Sequence, residues 1–216
     1  MSGQRFLLAT RSPGKLRELR VIFSGFGLDV VDLAALGLEE RPEEDNLERY
    51  DTFEENALAK ARYFYERSGG LPTFGDDSGM CVDALDGEPG VFSKRWAGRD
   101  DLSGKPLDDA NNAKLVARLR DAQRRDPSGY TDRARYISVA VFKDSNGELV
   151  RRGEVDGRVL SAPRGDGGFG YDAYFEAPAL GGTFAESTIE NTAALSHRAR
   201  AFQALLTALR AEGRIW

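Results

Sequence analysis

The sequence predicts an α/β fold built on a mixed β-sheet, and two observations carry that prediction. Over roughly the first third of the chain, short apolar runs alternate with segments of helical period, as strand–helix–strand units do. Later, "ARYISVAVFKD" alternates like a strand and "SNG" turns it into "ELVRRGEV", a β-hairpin signal that brings antiparallel pairing. No repeat occurs and no linker is long enough to separate independent domains, so residues 1–216 read as one domain.

Taken in order, "RFLLAT" (residues 5–10) predicts a buried strand. A helix follows in "RSPGKLRELRVIFSGFG", with Leu16, Leu19, Ile22 and Phe23 at helical spacing and Gly25 and Gly27 ending it. Residues 28–33 read as a second strand, and the acidic "EERPEEDNLERYD" after them as a solvated loop with no apolar period. "TFEENALAKARYFYERSGG" predicts a helix opened by a Thr52–Glu55 capping box, with a Phe53/Ala57/Ala61/Phe64 stripe and a stop at Gly69-Gly70. "FGDDSG" leads into the apolar "MCVDAL". Residues 105–124 predict a helix with Leu107, Leu115, Val116 and Leu119 inward. After the hairpin, a glycine-rich "RGDGGFGYD" leads into "AYF". A last helix starts at Ser196, with Ala199, Phe202, Leu205, Leu206 and Leu209 on one face.

Composition excludes several classes of function. The net charge of −5 argues against a nucleic-acid or anionic-membrane surface. No run approaches the ~20 apolar residues of a membrane span and no secretory segment follows Met1, so a soluble cytoplasmic protein is expected. A single cysteine, Cys81, rules out an intrachain disulfide and a cysteine zinc cluster; its apolar surroundings predict a core residue. With His197 the only histidine, a metal would need oxygen ligands, which points to Mg²⁺ or Mn²⁺.

Four loops place polar or glycine residues at a strand or helix end. In "TRSPGK", the hydroxyls of Thr10 and Ser12, the ammonium of Lys15 and a helix N-terminus suit a phosphate, although a plain strand-to-helix turn has the same look. It is not a Walker A loop. In "GDDSG", Asp76 and Asp77 are adjacent anions whose repulsion a cation would relieve; a solvated turn is the other reading. The glycines of "GDGGFGYD" allow close approach to a ligand on which Phe169 or Tyr171 would stack, or they simply turn a hairpin. "SHR" heads the last helix with a basic pair, against the macrodipole.

Together, "LLAT…GK", "TFEENALAKA", the "DDSG" run through "PGVFSKRWAG", "GDGGFGYD" and "SHRARA" stand in the order and spacing of the inosine/xanthosine triphosphate pyrophosphatase family. The resemblance runs from about Phe6 to Leu209. It implies a long mixed sheet flanked by helices, two lobes with the active site in the cleft between them, and a homodimer. It also implies hydrolysis of non-standard purine nucleoside triphosphates (ITP, dITP, XTP) to the monophosphate and pyrophosphate, with Mg²⁺ assisting water attack at the α-phosphorus. By the same resemblance, Asp77 is the proton acceptor and a metal ligand, supported by Asp76. Thr10, Arg11, Ser12, Pro13, Gly14 and Lys15, with Asn56, Lys60 and Ser78, face the triphosphate and metal. Phe169, Gly170, Tyr171 and Asp172, with His197 and Arg198, bind the base; donors from the last two would pair with a six-position keto group and oppose the amino group of adenine.

Three departures from the family pattern stand out. Ser12 replaces the asparagine of T-x-N-x-x-K, and Thr192 stands where a substrate-binding lysine is usual. The acidic site is rearranged, with Tyr50 in place of a glycine, which leaves the metal-binding glutamate open among Glu43, Glu44 and Glu48. A related pyrophosphatase with shifted base preference and a catalytically silent nucleotide-binding module are the rival readings.

Overall fold

Strand β1 (Arg5–Leu8) is buried at Phe6, Leu7 and Leu8, and helix α1 (Pro13–Gly25) follows after a short turn. Ser12 caps α1, its hydroxyl accepting the Lys15 N–H at 3.4 Å, and Pro13 occupies the first turn where its missing N–H costs nothing. Gly27, at φ +69°, turns the chain into β2 (Asp29–Asp32), which pairs parallel with β1. This computed structural model describes residues 5–216.

Helix α2 (Phe53–Arg67) buries the expected stripe of Phe53, Ala57, Ala61 and Phe64. The Thr52 hydroxyl accepts the Glu55 N–H at 3.2 Å and donates to the Glu55 carboxylate at 2.7 Å, so the cap forms while the glutamate returns to the hydroxyl. Next come β3 (Thr73–Val82), α3 (Gly104–Arg125), β4 (Arg133–Asp144) and β5 (Gly147–Val159). Two residues, Ser145 and Asn146, join β4 to its neighbour β5, a connection only an antiparallel hairpin permits. β6 (Phe175–Ala177), β7 (Gly182–Thr183), α4 (Ile189–Leu195) and α5 (His197–Ala211) complete the chain.

The sheet is mixed and seven-stranded, in the order β2-β1-β3-β4-β5-β6-β7. β1 pairs parallel with β2 and β3, while β5, β6 and β7 pair antiparallel. Two compact units divide the chain. One comprises the residues up to Asp77, Ser138–Gly153 and Ser196–Trp216; the other comprises Ser78–Ile137 and Glu154–Leu195. In the first, Phe6, Phe23, Phe74, Phe142 and Phe202 form one connected set of rings, Phe74 lying 4.7 Å from both Phe23 and Phe142. In the second, Met80, Val82, Leu115, Leu119 and Phe175 share one core with Tyr136, which stacks on Phe184 at 5.4 Å. Among the described residues, no helix is long and apolar enough to cross a membrane.

Several expectations change. Asp76 and Asp77 lie inside β3 rather than in a turn. The acidic segment is not a loose loop: residues 42–46 form a 3-10 turn tied to the protein by Glu44. Cys81 is half-buried, not core, because Met80 and Val82 take the buried positions on either side of it. Leu107 and Val116 are also only half-buried. Helix α4 and strand β7 were not legible, since neither is long enough to show a period.

Candidate active site

The carboxylate pair is tolerated because a strand sends successive side chains to opposite faces. On β3, Phe74 and Asp76 face α1 and α5: the Phe74 ring meets Phe23 of α1 and Phe202 of α5. Gly75 and Asp77 face α2. A Cβ at Gly75 would stand 3.3 Å from the Ala61 Cβ, so the glycine lets α2 settle close over the strand. Each aspartate therefore has its own set of partners.

Asp76 is 1% exposed, with Lys15 Nζ 3.0 Å from its Oδ2 and the Arg198 Nε–H donating to the same oxygen at 3.2 Å. Burial alone would raise its pKa, but the charges of Lys15, Arg198 and Lys60 outweigh it and hold the carboxyl well below the usual range. Arg198 also donates through Nη1 to Glu18, and the Ser196 hydroxyl donates to the other Glu18 oxygen. Ser196 caps α5, accepting the Ala199 N–H at 3.0 Å. Glu18 thus supplies the anion that the basic start of α5 lacks in its own sequence. Lys15 is pulled down by burial, against the attraction of Asp76. Asp76 Oδ1 is buried and has no hydrogen-bond partner among the described residues.

On the other face, the Asn56 amide donates to Asp77 Oδ2 at 3.1 Å. The same side chain accepts the Tyr50 N–H at 2.9 Å and donates to the Tyr50 carbonyl at 3.2 Å, which ties the loop before α2 to the aspartate. Lys60 donates to the Asp76 carbonyl oxygen at 2.8 Å and pairs with Glu48. Burial raises the Asp77 carboxyl above its ordinary value; Lys60 and Lys15 oppose this, while the charges of Glu48 and Asp76 reinforce it. Lys60 stays a cation, its pKa raised because Glu48, Asp77 and Asp76 overcome the desolvation.

The structure separates the three candidate glutamates. Glu43 meets the Tyr63 hydroxyl at 3.3 Å. Glu44, one of the expected metal ligands, accepts four hydrogen bonds: Arg11 Nε–H at 2.6 Å, Arg11 Nη2–H at 2.8 Å, Arg67 Nη1–H at 2.7 Å and the Arg41 N–H at 3.2 Å. Three of these bonds fall on Oε1 and one on Oε2, and the two guanidinium charges that hold the carboxylate oppose a divalent cation beside it. Glu48 is the glutamate beside Lys60 and Asp77. Arg11, expected to face the substrate, turns instead to Glu44 and the Leu38 carbonyl.

In the phosphate loop, Thr10 Oγ1 accepts the Ser12 N–H at 3.2 Å, and Pro13 and Gly14 open α1. Ser78, next to Asp77, is half-buried. His197 is buried; desolvation, with Arg198 and Lys15 nearby, pushes its pKa well below the ordinary value despite Asp76, so the imidazole is neutral.

The other predicted residues belong to the second unit. Phe169 is exposed, whereas Tyr171 is buried and donates its hydroxyl hydrogen to the Ser93 carbonyl at 2.9 Å. Asp172 holds the loop together, accepting the Phe169 N–H at 2.8 Å and the Tyr136 hydroxyl at 3.4 Å. Gly170 is gripped from α3, its N–H by Asp108 at 2.9 Å and its carbonyl by Asn112 at 3.0 Å. Thr192 is half-buried in α4.

Sequence reasoning missed Glu18, Arg67, Asp108 and Asn112. A signal existed for Glu18, which sits four residues before Ile22 on the apolar face of α1, and for Asp108 and Asn112, one helical turn apart.

The chain matches the family model described as the Ham1 family over residues 6–208. It is 44% identical over 212 residues to a dITP/XTP pyrophosphatase of Ralstonia nicotianae, covering 96% of this chain and 97% of that protein. A dITP/XTP pyrophosphatase of Thermus thermophilus is 41% identical over 210 residues, with 96% and 93% covered. Among solved structures, a HAM1 protein from Coxiella burnetii superposes with a TM-score of 0.77 at 30% identity, over 95% of this chain and 98% of that one. A nucleoside-triphosphatase, dITP/XTP pyrophosphatase, from Mycobacterium abscessus gives 0.64 at 38% identity, with 95% and 99% covered.

Proposed function

The chain belongs to the Ham1 family, and from that premise we propose that it is a nucleoside triphosphate pyrophosphatase. It hydrolyses dITP, XTP and ITP to the nucleoside monophosphate and pyrophosphate. The observation that supports this reading best is the Asp76–Asp77 pair on β3. Two adjacent buried carboxylates, Asp76 held by Lys15 and Arg198 and Asp77 by the Asn56 amide, have no purpose in folding that a pair of apolar residues would not serve better.

The donors suit a hard divalent cation. Asp77 and Glu48 present carboxylate oxygens on the α2 face, and Asp76 Oδ1 is a buried acceptor without a protein partner. Among the described residues no three histidine, cysteine or acidic side chains converge as a ready cage. That suits Mg²⁺, which keeps waters and substrate phosphate oxygens in its shell. When bound by Asp77 and Glu48, Mg²⁺ (or Mn²⁺) supplies charge neutralisation at the triphosphate.

Asp77 takes the proton of the attacking water. The new bond forms from the water oxygen to the α-phosphorus, the bond from that phosphorus to the bridging oxygen breaks, and pyrophosphate leaves. Asn56 orients Asp77, and Lys15 and Lys60 place positive charge where phosphate oxygens gather negative charge. Arg198, by holding Asp76, positions rather than reads. Base choice falls to His197 and the Phe169–Asp172 loop, with Phe169 exposed for stacking. Residues 1–216 act as one such domain, in a homodimer working on free cytoplasmic nucleotides.

The experiment is pyrophosphate release from dITP, XTP, ITP, dGTP and dATP, with and without Mg²⁺, for wild type and Asp77→Asn. Wild type is expected to prefer the first three, and the variant to lose at least ~100-fold in turnover while keeping its fold. A different ranking would favour the rival with shifted base preference, for which Thr192 in α4 is the motive. No release from any nucleotide, or near wild-type turnover by Asp77→Asn, would remove the reading.

A further inference from the structure

We propose that Glu44, gripped by Arg11 and Arg67, is a positioning residue: it clamps segment 38–48 so that Glu48 is delivered to Lys60 beside Asp77. The proposal rests on the function just given and adds residues to it that have no contact with substrate or metal.

The segment is anchored at its two ends, where partly buried Leu38 and Leu47 pack against the core of Leu7, Val31 and Phe64, and Glu44 is what holds the turn between them. The 3-10 turn at 42–46 buries no residue and is too short to be stable alone. Yet Glu44 sits with only 8% of its side chain exposed, bonded to two guanidiniums at once. Arg11 grips it with two parallel N–H bonds, at 2.6 and 2.8 Å, the geometry that fixes orientation as well as contact. Arg11 lies between Thr10 and Ser12 in the phosphate loop, and its guanidinium lies 5.8 Å from the Phe64 ring centre of α2. Arg67, at the C-terminal end of α2, adds the third bond and also donates to the Glu39 carbonyl at 3.1 Å. Arg11 in turn donates to the Leu38 carbonyl at 3.1 Å. One carboxylate therefore ties together the phosphate loop, the far end of α2 and the segment that carries Glu48. Both guanidiniums bond to the main chain of that segment as well, which a simple surface ion pair does not require.

Charged partners that hold a ligand in place commonly cost ~10–100-fold in metal affinity when removed. The test uses the metal-free full chain and Mn²⁺ as the probe, with binding read by the loss of the free-ion paramagnetic resonance signal. Glu44→Gln keeps the shape but gives up the charge and half of the acceptor sites; Arg67→Met removes one grip and keeps the packing of the stem. Both variants are expected to bind Mn²⁺ about 10-fold or more weakly, and to speed amide exchange in residues 38–48 while leaving α5 protected. Their affinity for dITP in the presence of a chelator should match wild type, which a general loss of fold would not allow.

Unchanged Mn²⁺ affinity in both variants, with wild type binding normally, overturns the clamp alone. Loss of Mn²⁺ binding in Glu44→Gln with unchanged exchange and normal binding by Arg67→Met also overturns it, by making Glu44 a ligand. Failure of wild type itself to bind Mn²⁺ overturns the clamp together with the metal assignment beneath it.

Discussion

Burial of His197, which the charge of Asp76 does not offset, makes one residue into a clean reporter. Desolvation lowers its pKa first, Arg198 and Lys15 lower it further, and Asp76 only partly compensates. In the unfolded chain it titrates near ~6.5. Above that value both states carry a neutral imidazole and the term vanishes from the pH dependence, leaving the full stability in place. Below it the unfolded chain takes up a proton that the folded protein refuses, so stability falls as pH drops, by up to ~1.4 kcal/mol per pH unit. His197 is the only histidine, so its ring-proton resonance needs no assignment. That resonance is expected to stay unshifted from about pH 8 to about pH 5. In the same range His197→Gln should flatten the decline of urea stability. A folded-state titration near the ordinary value would mean that the ring is open to water and that desolvation does not govern this end of α5.

At the level of elements, α1 and α5 are joined through Glu18. Removing one member of a buried ion pair leaves an uncompensated charge, typically at a cost of ~3–5 kcal/mol. Because Asp76 remains as a second partner of Arg198, Glu18→Ala should fall near ~3 kcal/mol by denaturant unfolding. Glu18→Gln, which keeps an acceptor for Ser196, should lose less. A loss below ~1 kcal/mol for the alanine variant would show that Arg198 needs only Asp76. This pair also shows where sequence reading stops. Helices α1, α2 and α5 and the β4–β5 hairpin were legible because each writes its own period or turn locally. Thr52 and Ser196 marked two helix starts within a residue. Glu18 was not legible because its partners Ser196 and Arg198 lie 178 and 180 positions away. The acidic segment failed for the same reason: Arg11 and Arg67 are 33 and 23 positions from Glu44, and nothing in the local run of carboxylates points to them. The Asp76–Asp77 pair lay between these cases. Its residues were visible, but a strand rather than a turn follows only from the apolar residues around it and from the parallel pairing of Thr73 and Phe74 with β1.

For the whole molecule, the assignment of residues to the two units has a consequence for folding. The boundaries fall inside strands: Asp77 and Ser78 are consecutive in β3, Ile137 and Ser138 in β4, Gly153 and Glu154 in β5. Units joined by linkers can unfold in separate steps, and a chain of this length is long enough to do so. Units that share three continuous strands cannot lose one end of a strand's hydrogen-bond ladder without weakening the other, so a single transition is expected here. The two tryptophans allow a test. Trp96 is buried in the second unit at 7% exposure, while Trp216 is 75% exposed, so Trp216→Phe leaves Trp96 as the sole tryptophan, read by selective excitation. Phe202 is fully buried among the rings of the first unit, and Phe202→Ala should cost ~3–5 kcal/mol. In the Trp216→Phe background that loss should move the Trp96 fluorescence transition by as much as the far-ultraviolet transition, with one midpoint for both. If the fluorescence midpoint holds while the far-ultraviolet curve splits, the shared strands do not couple the two cores, and each unit carries its own stability.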